Sequence, residues 1–169
     1  MAELEDLFDL GRVQQSGAIF DREKLDWING TYIRAQPPAE LVERLRPFLP
    51  ELSQELLERA APALRERMKT LADAPALLGY LWTEPAPPEL DVESRDRLQA
   101  AMAALAEVEW EPTAIESALD ALRQDRGWSG KQLYNPIRLA VAGGNSPPIH
   151  DTLALLPRDA AFARMERAL

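Results

Sequence analysis

The sequence predicts an all-α protein, a helical bundle or cage made of two subdomains. Leu, Ala and Glu are abundant, glycine occurs only eight times in 169 residues, and β-branched residues are few. This composition is typical of helices. Apolar residues also recur at helical spacing between proline-rich breaks. From the breaks at Pro37-Pro38 and 85–88 we place domain boundaries that give residues 1–36, 37–82 and 83–169.

Capping residues predict the first helix. Residues 1–19 hold a short acidic amphipathic turn and then a polar loop. Asp21 is predicted to be an N-cap, and Phe20 and Leu25 have the spacing of a hydrophobic staple. The buried stripe of this helix is expected to consist of Leu25, Ile28 and Tyr32.

Two helices are predicted after the Pro37-Pro38 break. The first passes Leu41, Leu45 and Phe48 and ends at Pro50. Ser53 should cap the second, because a serine there precedes a helical run of apolar residues. The inner face of that second helix comprises Leu56, Leu57, Ala60, Ala61 and Leu64. Pro62 lacks a backbone donor, so we expect it to kink or restart the helix.

The second half of the chain contains further capped helices. A supporting helix carries Leu98, Met102 and Leu105. Two capping boxes are expected, Thr113 with Glu116 and Ser129 with Gln132. Gly127 and Gly143 should end the helices that start at these boxes, and Pro136 should kink the second. Pro148 and Pro157 stand where the first turns of two last helices would begin.

Charge and composition exclude several classes of function. Without cysteine the chain has neither disulfides nor thiolate metal sites, and its single histidine excludes a histidine-rich metal cluster. No apolar run approaches the length of a membrane span, and the N-terminus lacks the order of a signal peptide. The net charge of −9 opposes general attraction to nucleic acid or anionic lipid. We therefore expect a cytoplasmic protein that binds any polyanion locally.

Two short basic stretches depart from the acidic background. Residues 126–150 contain no Asp or Glu and include Lys131 and Arg138. The second stretch contains Arg65 and Arg67, which point roughly 200° apart on a regular helix, so only one can reach a given ligand. Arginine forks suit a phosphate or the bases of single-stranded RNA. Ordinary exposed arginines on amphipathic helices are the simpler interpretation from composition alone.

Catalytic constellations are missing from the sequence. It contains no phosphate-binding loop, no dinucleotide fingerprint and no His-Glu-x-x-His metal motif. His150 lacks an obvious nucleophile, since Ser146 is four residues away in a proline-rich turn. The residues themselves therefore do not indicate an enzyme.

Two segments resemble signatures of bacterial glutamyl-tRNA synthetases. Residues 20–34, Phe-Asp-Arg-Glu-Lys-Leu-Asp-Trp-Ile-Asn-Gly-Thr-Tyr-Ile-Arg, resemble the family's Phe-Asp-x-x-Lys-Leu-x-Trp-x-Asn-x-x-Tyr-Ile-Arg segment, which follows the catalytic core. Residues 135–143, Asn-Pro-Ile-Arg-Leu-Ala-Val-Ala-Gly, resemble the family's Pro-Leu-Arg-x-Ala-x-Thr-Gly segment. The resemblance extends over nearly the whole chain in order and spacing.

The resemblance implies the helical anticodon-binding region of a class I synthetase. Residues 1–36 would be the end of the stem-contact region, and 37–82 and 83–169 two anticodon-binding subdomains. The family ligates glutamate to its tRNA with ATP and magnesium, but the nucleotide-binding motifs are absent from this sequence. The chain is therefore expected to be a C-terminal fragment or a free-standing homologue, monomeric, without a cofactor and inactive alone.

The family's contacts transfer to individual positions of this chain. By this resemblance Arg138 would contact the anticodon and Arg67 would read its third base, a cytosine. The other expected anticodon contacts are Ser146, Pro147, Ile149, Arg65, Lys131 and Asn135. The expected tRNA-stem contacts are Lys24, Trp27 and Asn29.

Two functional hypotheses follow. The first is a module that binds the anticodon loop of a glutamate-accepting tRNA. The second is a helical scaffold that has lost RNA binding and contacts a basic partner through the acidic segment 84–120. That segment contains ten acidic and two basic residues. Binding to tRNA that weakens steeply with salt would distinguish the first from the second.

Overall fold

The computed structural model describes residues 20–169, and these form helices with no strand among them. The predictions for residues 1–19 lie outside the described residues. The α-helices are α1 (Arg22–Ala35), α2 (Pro38–Leu45), α3 (Gln54–Arg67), α4 (Ala74–Leu78), α5 (Val92–Leu105), α6 (Pro112–Arg126), α7 (Gly130–Ala142), α8 (Ile149–Ala154) and α9 (Arg158–Glu166). Short 3₁₀ turns occupy Arg46–Phe48, Leu71–Asp73 and Gly79–Leu81. The all-α prediction is confirmed.

The first three helices form a small unit in which α2 packs on α3 and α1 contacts α3. Asp21 caps α1 by accepting from the Lys24 amide at 3.0 Å, and Ser53 caps α3 by accepting from the Leu56 amide at 3.2 Å, as predicted. The inner face of α3 buries Leu57 and Leu64 completely. Pro62 stays inside α3, which continues to Arg67.

The remaining helices form a second cluster in which α5 packs against α6 and α7, and α8 bridges α6 and α7. The Ser129–Gln132 capping box is confirmed by reciprocal hydrogen bonds of 3.3 and 2.8 Å at the start of α7. Gly127 and Gly143 adopt the left-handed conformation, with φ of 63° and 73°, and end α6 and α7. An L-residue with a side chain rarely adopts this conformation, which explains both helix ends.

A buried arginine ties the 3₁₀ turn at 79–81 to this second cluster. Arg164 on α9 donates from Nη1 to the carbonyl oxygens of Tyr80 at 2.9 Å and Val141 at 2.8 Å. Tyr80 is itself buried, and its hydroxyl donates to the Thr152 carbonyl at 3.2 Å. Three separate stretches of chain are thus held by hydrogen bonds to main-chain oxygens.

Two predicted packing features of α1 are wrong. Leu25 and Tyr32 are 48% and 69% exposed, and Phe20 is 77% exposed, so neither a buried stripe nor a packed staple forms here. The buried residues of α1 are Gly30 and Ile33. The apolar periodicity of α1 is real, but the described residues put no partner on that face.

The predicted Thr113–Glu116 capping box is also wrong. Helix α6 begins at Pro112, with Glu111 at the N-cap position and no side-chain cap. Proline favours the first helical position because its fixed φ suits the helix and its missing N–H needs no partner there. Thr113 therefore lies inside the helix, where its carbonyl accepts from the Ser117 hydroxyl at 2.8 Å.

Candidate nucleic-acid interface

One face of α7 carries polar side chains that point out of the second cluster. Lys131, Asn135 and Arg138 are spaced by four and three residues, which places them on one stripe of the helix. Lys131 and Asn135 are exposed and Arg138 is half-buried. The opposite face, with Leu133, Ile137 and Val141, is completely buried. The amphipathic pattern of α7 thus fixes which residues reach solvent.

Arg138 is held in place by the turn between α7 and α8. Its Nη2 donates to the Pro147 carbonyl at 3.3 Å, and its Nε is buried without a partner in the described residues. Burial, and then the positive charge of Arg67, lowers the pKa of the Arg138 guanidinium below its ordinary value. No carboxylate among residues 20–169 forms a salt bridge with either arginine.

The charge of Arg67 contributes to lowering the pKa of Arg138, which places the two basic stretches within electrostatic range of each other. Arg67 is the last residue of α3 and is exposed, whereas Arg138 lies on α7 of the other cluster. Two like charges at a shared surface repel each other and are usually separated or neutralised in a free protein. Their proximity on a chain of net charge −9 marks a local positive site for an anion.

Arg65 points elsewhere, as the helical geometry required. Its Nη2 donates to the Gln36 carbonyl at 2.8 Å, which ties α3 to the end of α1. It also lines an apolar cavity of about 350 Å³ between α2 and α3, together with Pro38, Val42 and Pro62. Arg65 is thus bonded within the protein at the end of α1, and its contact with the anticodon stays a prediction.

The turn after α7 is built from buried groups. Ser146 is 2% exposed, Ile149 is 3% exposed and Pro147 is buried. The hydroxyl of Thr152 lies 3.0 Å from Ser146 Oγ and 3.1 Å from the Pro147 carbonyl oxygen, and Ser146 donates to that same carbonyl at 3.2 Å. Contact of these side chains with RNA stays a prediction, and it would require the turn to open.

The three predicted stem contacts differ in their exposure. Lys24 is exposed and Trp27 is 67% exposed, so both are accessible. Asn29 is half-buried, and its side-chain amide donates to the Lys69 carbonyl at 2.6 Å. Asn29 therefore joins α1 to the segment just after Arg67. Its contact with a tRNA stem stays a prediction.

Thr152 and Asp73 support the site and were not singled out from the sequence. Asp73 accepts from the amides of Lys69 and Thr70, both at 2.9 Å. Burial alone would raise the pKa of Asp73, but these hydrogen bonds lower it below its ordinary value. The Thr-x-x-Asp spacing at 70–73 is a capping signal that sequence inspection could have used. Nothing in the sequence pointed to Thr152, because its partners come from a turn without regular spacing.

His150 is placed between two carboxylates rather than beside a nucleophile. Its ring nitrogens lie 3.8 Å from Glu116 Oε1 and 3.3 Å from Asp151 Oδ2. Burial, with a smaller contribution from the charge of Glu116, raises the pKa of Asp151 although His150 opposes the rise. Within residues 20–169 no group of three or more metal-ligating side chains occurs, and no helix there is long and apolar enough to cross a membrane.

Comparison with known proteins gives a family model and longer relatives. The model described as "Anticodon binding domain" matches residues 40–169. The glutamate–tRNA ligase of Acidothermus cellulolyticus is 36% identical over 183 aligned residues, with 95% of this chain and 36% of the relative covered. That of Thermus thermophilus is 34% identical, with 100% of this chain and 39% of the relative covered. The chain thus spans well under half the length of these relatives.

The fold is also similar to solved structures. A crystal structure of a glutamate tRNA ligase from Elizabethkingia meningosepticum matches with a TM-score of 0.70 and 20% sequence identity. The match covers 95% of this chain and 34% of that one. At this identity the likeness shows a shared helical fold.

Proposed function

Because this chain belongs to the family of anticodon-binding domains, we propose that it is the module of a glutamate–tRNA ligase that binds the anticodon loop of a glutamate-accepting tRNA. Its part in the reaction is to hold the tRNA, while the chemistry takes place in the part of the ligase outside this chain. ATP and magnesium would bind that other part.

The observation that carries the proposal is that Arg67 and Arg138 lie within electrostatic range of each other. The two guanidinium groups come from separate helical clusters, the charge of Arg67 helps to lower the pKa of Arg138, and neither has a carboxylate partner within residues 20–169. An unstacked RNA loop supplies phosphates and base edges that can neutralise both. The rest of the acidic surface repels RNA, which restricts binding to this site.

The two arginines would have different tasks. Arg138 is oriented by the Pro147 carbonyl, so its guanidinium plane is already fixed before RNA arrives. A guanidinium group that is already oriented loses little side-chain entropy on binding. It therefore suits a directional contact with a base or a phosphate. Arg67 is exposed at the end of α3 and is free to follow the third anticodon base, a cytosine, whose O2 and N3 atoms accept hydrogen bonds.

Titration with tRNA tests the proposal. Arg67→Ala and Arg138→Ala are each expected to weaken binding by about 1–3 kcal/mol, the usual range for a specific bidentate contact. Arg44→Ala is the matched control, because Arg44 is an exposed arginine on α2 that pairs with Glu40 at 2.8 Å. Fluorescence anisotropy with a labelled glutamate tRNA, at several salt concentrations, gives the affinities.

A second tRNA, with the third anticodon base changed, separates the roles. Arg67→Ala should lower affinity for the cognate tRNA and reduce discrimination between the two, whereas Arg138→Ala should weaken both. Equal affinity of the unaltered chain for both tRNAs would contradict the assignment of Arg67. Absence of any salt-dependent tRNA binding would instead favour the scaffold hypothesis, to which the family and relatives above lend no support.

A further inference from the structure

Thr152 on α8 is a buried threonine that lies behind the turn between α7 and α8. Its exposed fraction is 0%, and its carbonyl accepts a hydrogen bond from the buried Tyr80 hydroxyl at 3.2 Å. A buried hydroxyl group costs free energy unless it is hydrogen-bonded. The partners of the Thr152 hydroxyl therefore show what this side chain stabilises.

Three oxygen atoms surround the Thr152 hydroxyl. Its Oγ1 lies 3.0 Å from Ser146 Oγ, 3.1 Å from the Pro147 carbonyl oxygen and 3.0 Å from the Pro148 carbonyl oxygen. Threonine has one hydroxyl proton, so it donates to one of these atoms at a time. The Pro148 carbonyl already accepts from the Thr152 amide at 2.9 Å and does not need the hydroxyl. The hydroxyl proton is therefore available to the turn before α8.

The Pro147 carbonyl oxygen has more donors around it than it can accept. Arg138 Nη2 lies 3.3 Å from it, Ser146 Oγ 3.2 Å and Thr152 Oγ1 3.1 Å. A carbonyl oxygen has two lone pairs. All the donors are satisfied when Thr152 donates to Ser146 and Ser146 donates to Pro147. The second lone pair of the Pro147 carbonyl is then left for Arg138.

This chain of hydrogen bonds holds the carbonyl that orients Arg138. In such a chain each bond polarises the next, so a donor at the start strengthens the bonds that follow. Among residues 20–169 the Pro147 carbonyl is the one hydrogen-bond partner of the Arg138 guanidinium. The direction of that carbonyl therefore decides where the guanidinium group lies.

We propose that Thr152 is a positioning residue for tRNA binding, and that its hydroxyl orients Arg138 through Ser146 and Pro147. Thr152 is buried and does not itself touch RNA. The proposal rests on the proposed function, because Thr152 changes the affinity only through Arg138. The simpler alternative is that the hydroxyl only stabilises α8 by a bond to the carbonyl four residues before it, as threonines in helices often do.

A double-mutant cycle with labelled glutamate tRNA separates the two explanations. Valine has nearly the shape of threonine but no hydroxyl. Thr152→Val is therefore expected to weaken tRNA binding about threefold to tenfold, the equivalent of one ordinary hydrogen bond. In the Arg138→Ala background Thr152→Val should cause no further loss, because the group that Thr152 positions is missing.

Two other substitutions serve as controls in the same titration. Thr152→Ser keeps the hydroxyl and should bind tRNA within about twofold of the unaltered chain. Ser117→Ala removes a hydroxyl that donates to the carbonyl four residues before it, at 2.8 Å, on the exposed face of α6. This matched control should leave the affinity unchanged.

Arginine-selective nitrogen-15 labelling gives a second measurement that needs no RNA. The Arg138 Nε–H group is buried, and its resonance can be identified by its absence from the Arg138→Lys protein. Thr152→Val should speed the exchange of this proton with solvent about threefold or more, because the guanidinium group is held less firmly. Thr152→Ser and Ser117→Ala should leave the exchange rate unchanged.

The possible failures can be told apart. If the unaltered chain does not bind tRNA, the proposed function is wrong, and the exchange measurement still decides whether Thr152 orders Arg138. If the chain binds tRNA but Thr152→Val has no effect, or has an equal effect in the Arg138→Ala background, only the role of Thr152 is overturned. Urea unfolding verifies that each variant is folded. If Thr152→Val is not folded, Thr152→Ala takes its place in the same cycle.

Discussion

The like-charged pair Arg67 and Arg138 should leave a measurable signature in the stability of the free protein. Arg138 is only partly buried and Arg67 is exposed, so solvent screens the repulsion, and a near-surface pair is worth about 0.5 kcal/mol. Arg67 also ends α3, where a positive charge gains a similar amount from the helix dipole. The two effects nearly cancel, and Arg67→Gln alone should change the free energy of unfolding very little.

A double-mutant cycle separates the two contributions. The dipole contribution of Arg67 is present whether or not Arg138 is charged, whereas the repulsion needs both. Arg67→Gln should therefore destabilise the Arg138→Gln protein by about 0.5 kcal/mol more than it destabilises the unaltered protein. Arginine and glutamine have similar helix propensity, so the substitution changes little else.

Urea unfolding at low salt and at about 1 M salt provides the assay, because urea adds no ions of its own. The coupling between the two substitutions should fall towards zero in high salt, where the Debye length is only about 3 Å. Arg44→Gln, combined with Arg138→Gln, should be additive and serves as the control. A coupling of zero at low salt, or one of opposite sign, would refute the reasoning that the two guanidinium groups repel.

Two further substitutions test the framework around the site. Arg164→Met removes the hydrogen bonds to two buried carbonyl oxygens, although it also removes a buried charge. We expect the free energy of unfolding, measured with urea, to fall by about 2–4 kcal/mol. An unchanged urea midpoint would contradict this expectation. Tyr134→Phe removes the 2.6 Å hydrogen bond from the tyrosine hydroxyl to Asp120. That bond, and then the bond from Arg123, lowers the pKa of Asp120 from its ordinary value of 3.8. The ionised Asp120 therefore stabilises the folded protein above pH 3.8, and this stabilisation is lost as the pH falls through the lowered pKa. The stability gap between Tyr134→Phe and the unaltered protein should accordingly narrow in acid, and a gap that widens there would count against this assignment.

Helix ends were predictable because they depend on neighbouring residues. Ser129 and Gln132 satisfy each other's backbone groups within one turn, and Gly127 and Gly143 have the conformation that only glycine adopts cheaply. The error at Thr113 was also local. The capping-box spacing at Thr113 and the proline at Pro112 both predict a helix start, and the helix begins at the proline.

Burial was less predictable, because a periodic apolar face indicates an interface without saying where its partner is. Leu25 and Tyr32 have the spacing of core residues but are exposed in the described chain. Ser146 shows the reverse, since a polar residue in a proline-rich turn is buried by hydrogen bonds with Thr152 and Pro147. These contacts join residues without regular spacing, so no periodicity could reveal them.

The candidate site was predictable in part. The divergence of Arg65 and Arg67 follows from helix geometry, and the bond from Arg65 to Gln36 agrees with it. That the charge of Arg67 acts on Arg138 depends on how the two clusters pack and could not be predicted from the sequence. The roles of these residues towards RNA rest on the resemblance and stay proposals.

The hydrogen bonds of Arg164 have a consequence for how this protein can change over time. The guanidinium donates hydrogen bonds to the main-chain oxygens at positions 80 and 141. Every residue type has such an oxygen, so these two bonds do not depend on the side chains at those positions. Substitutions at position 141 are constrained by packing, whereas Tyr80 is also held by the hydrogen bond from its hydroxyl to the Thr152 carbonyl. Arg164 can therefore keep both hydrogen bonds while the side chains at the positions it contacts change, provided that the packing around it is preserved.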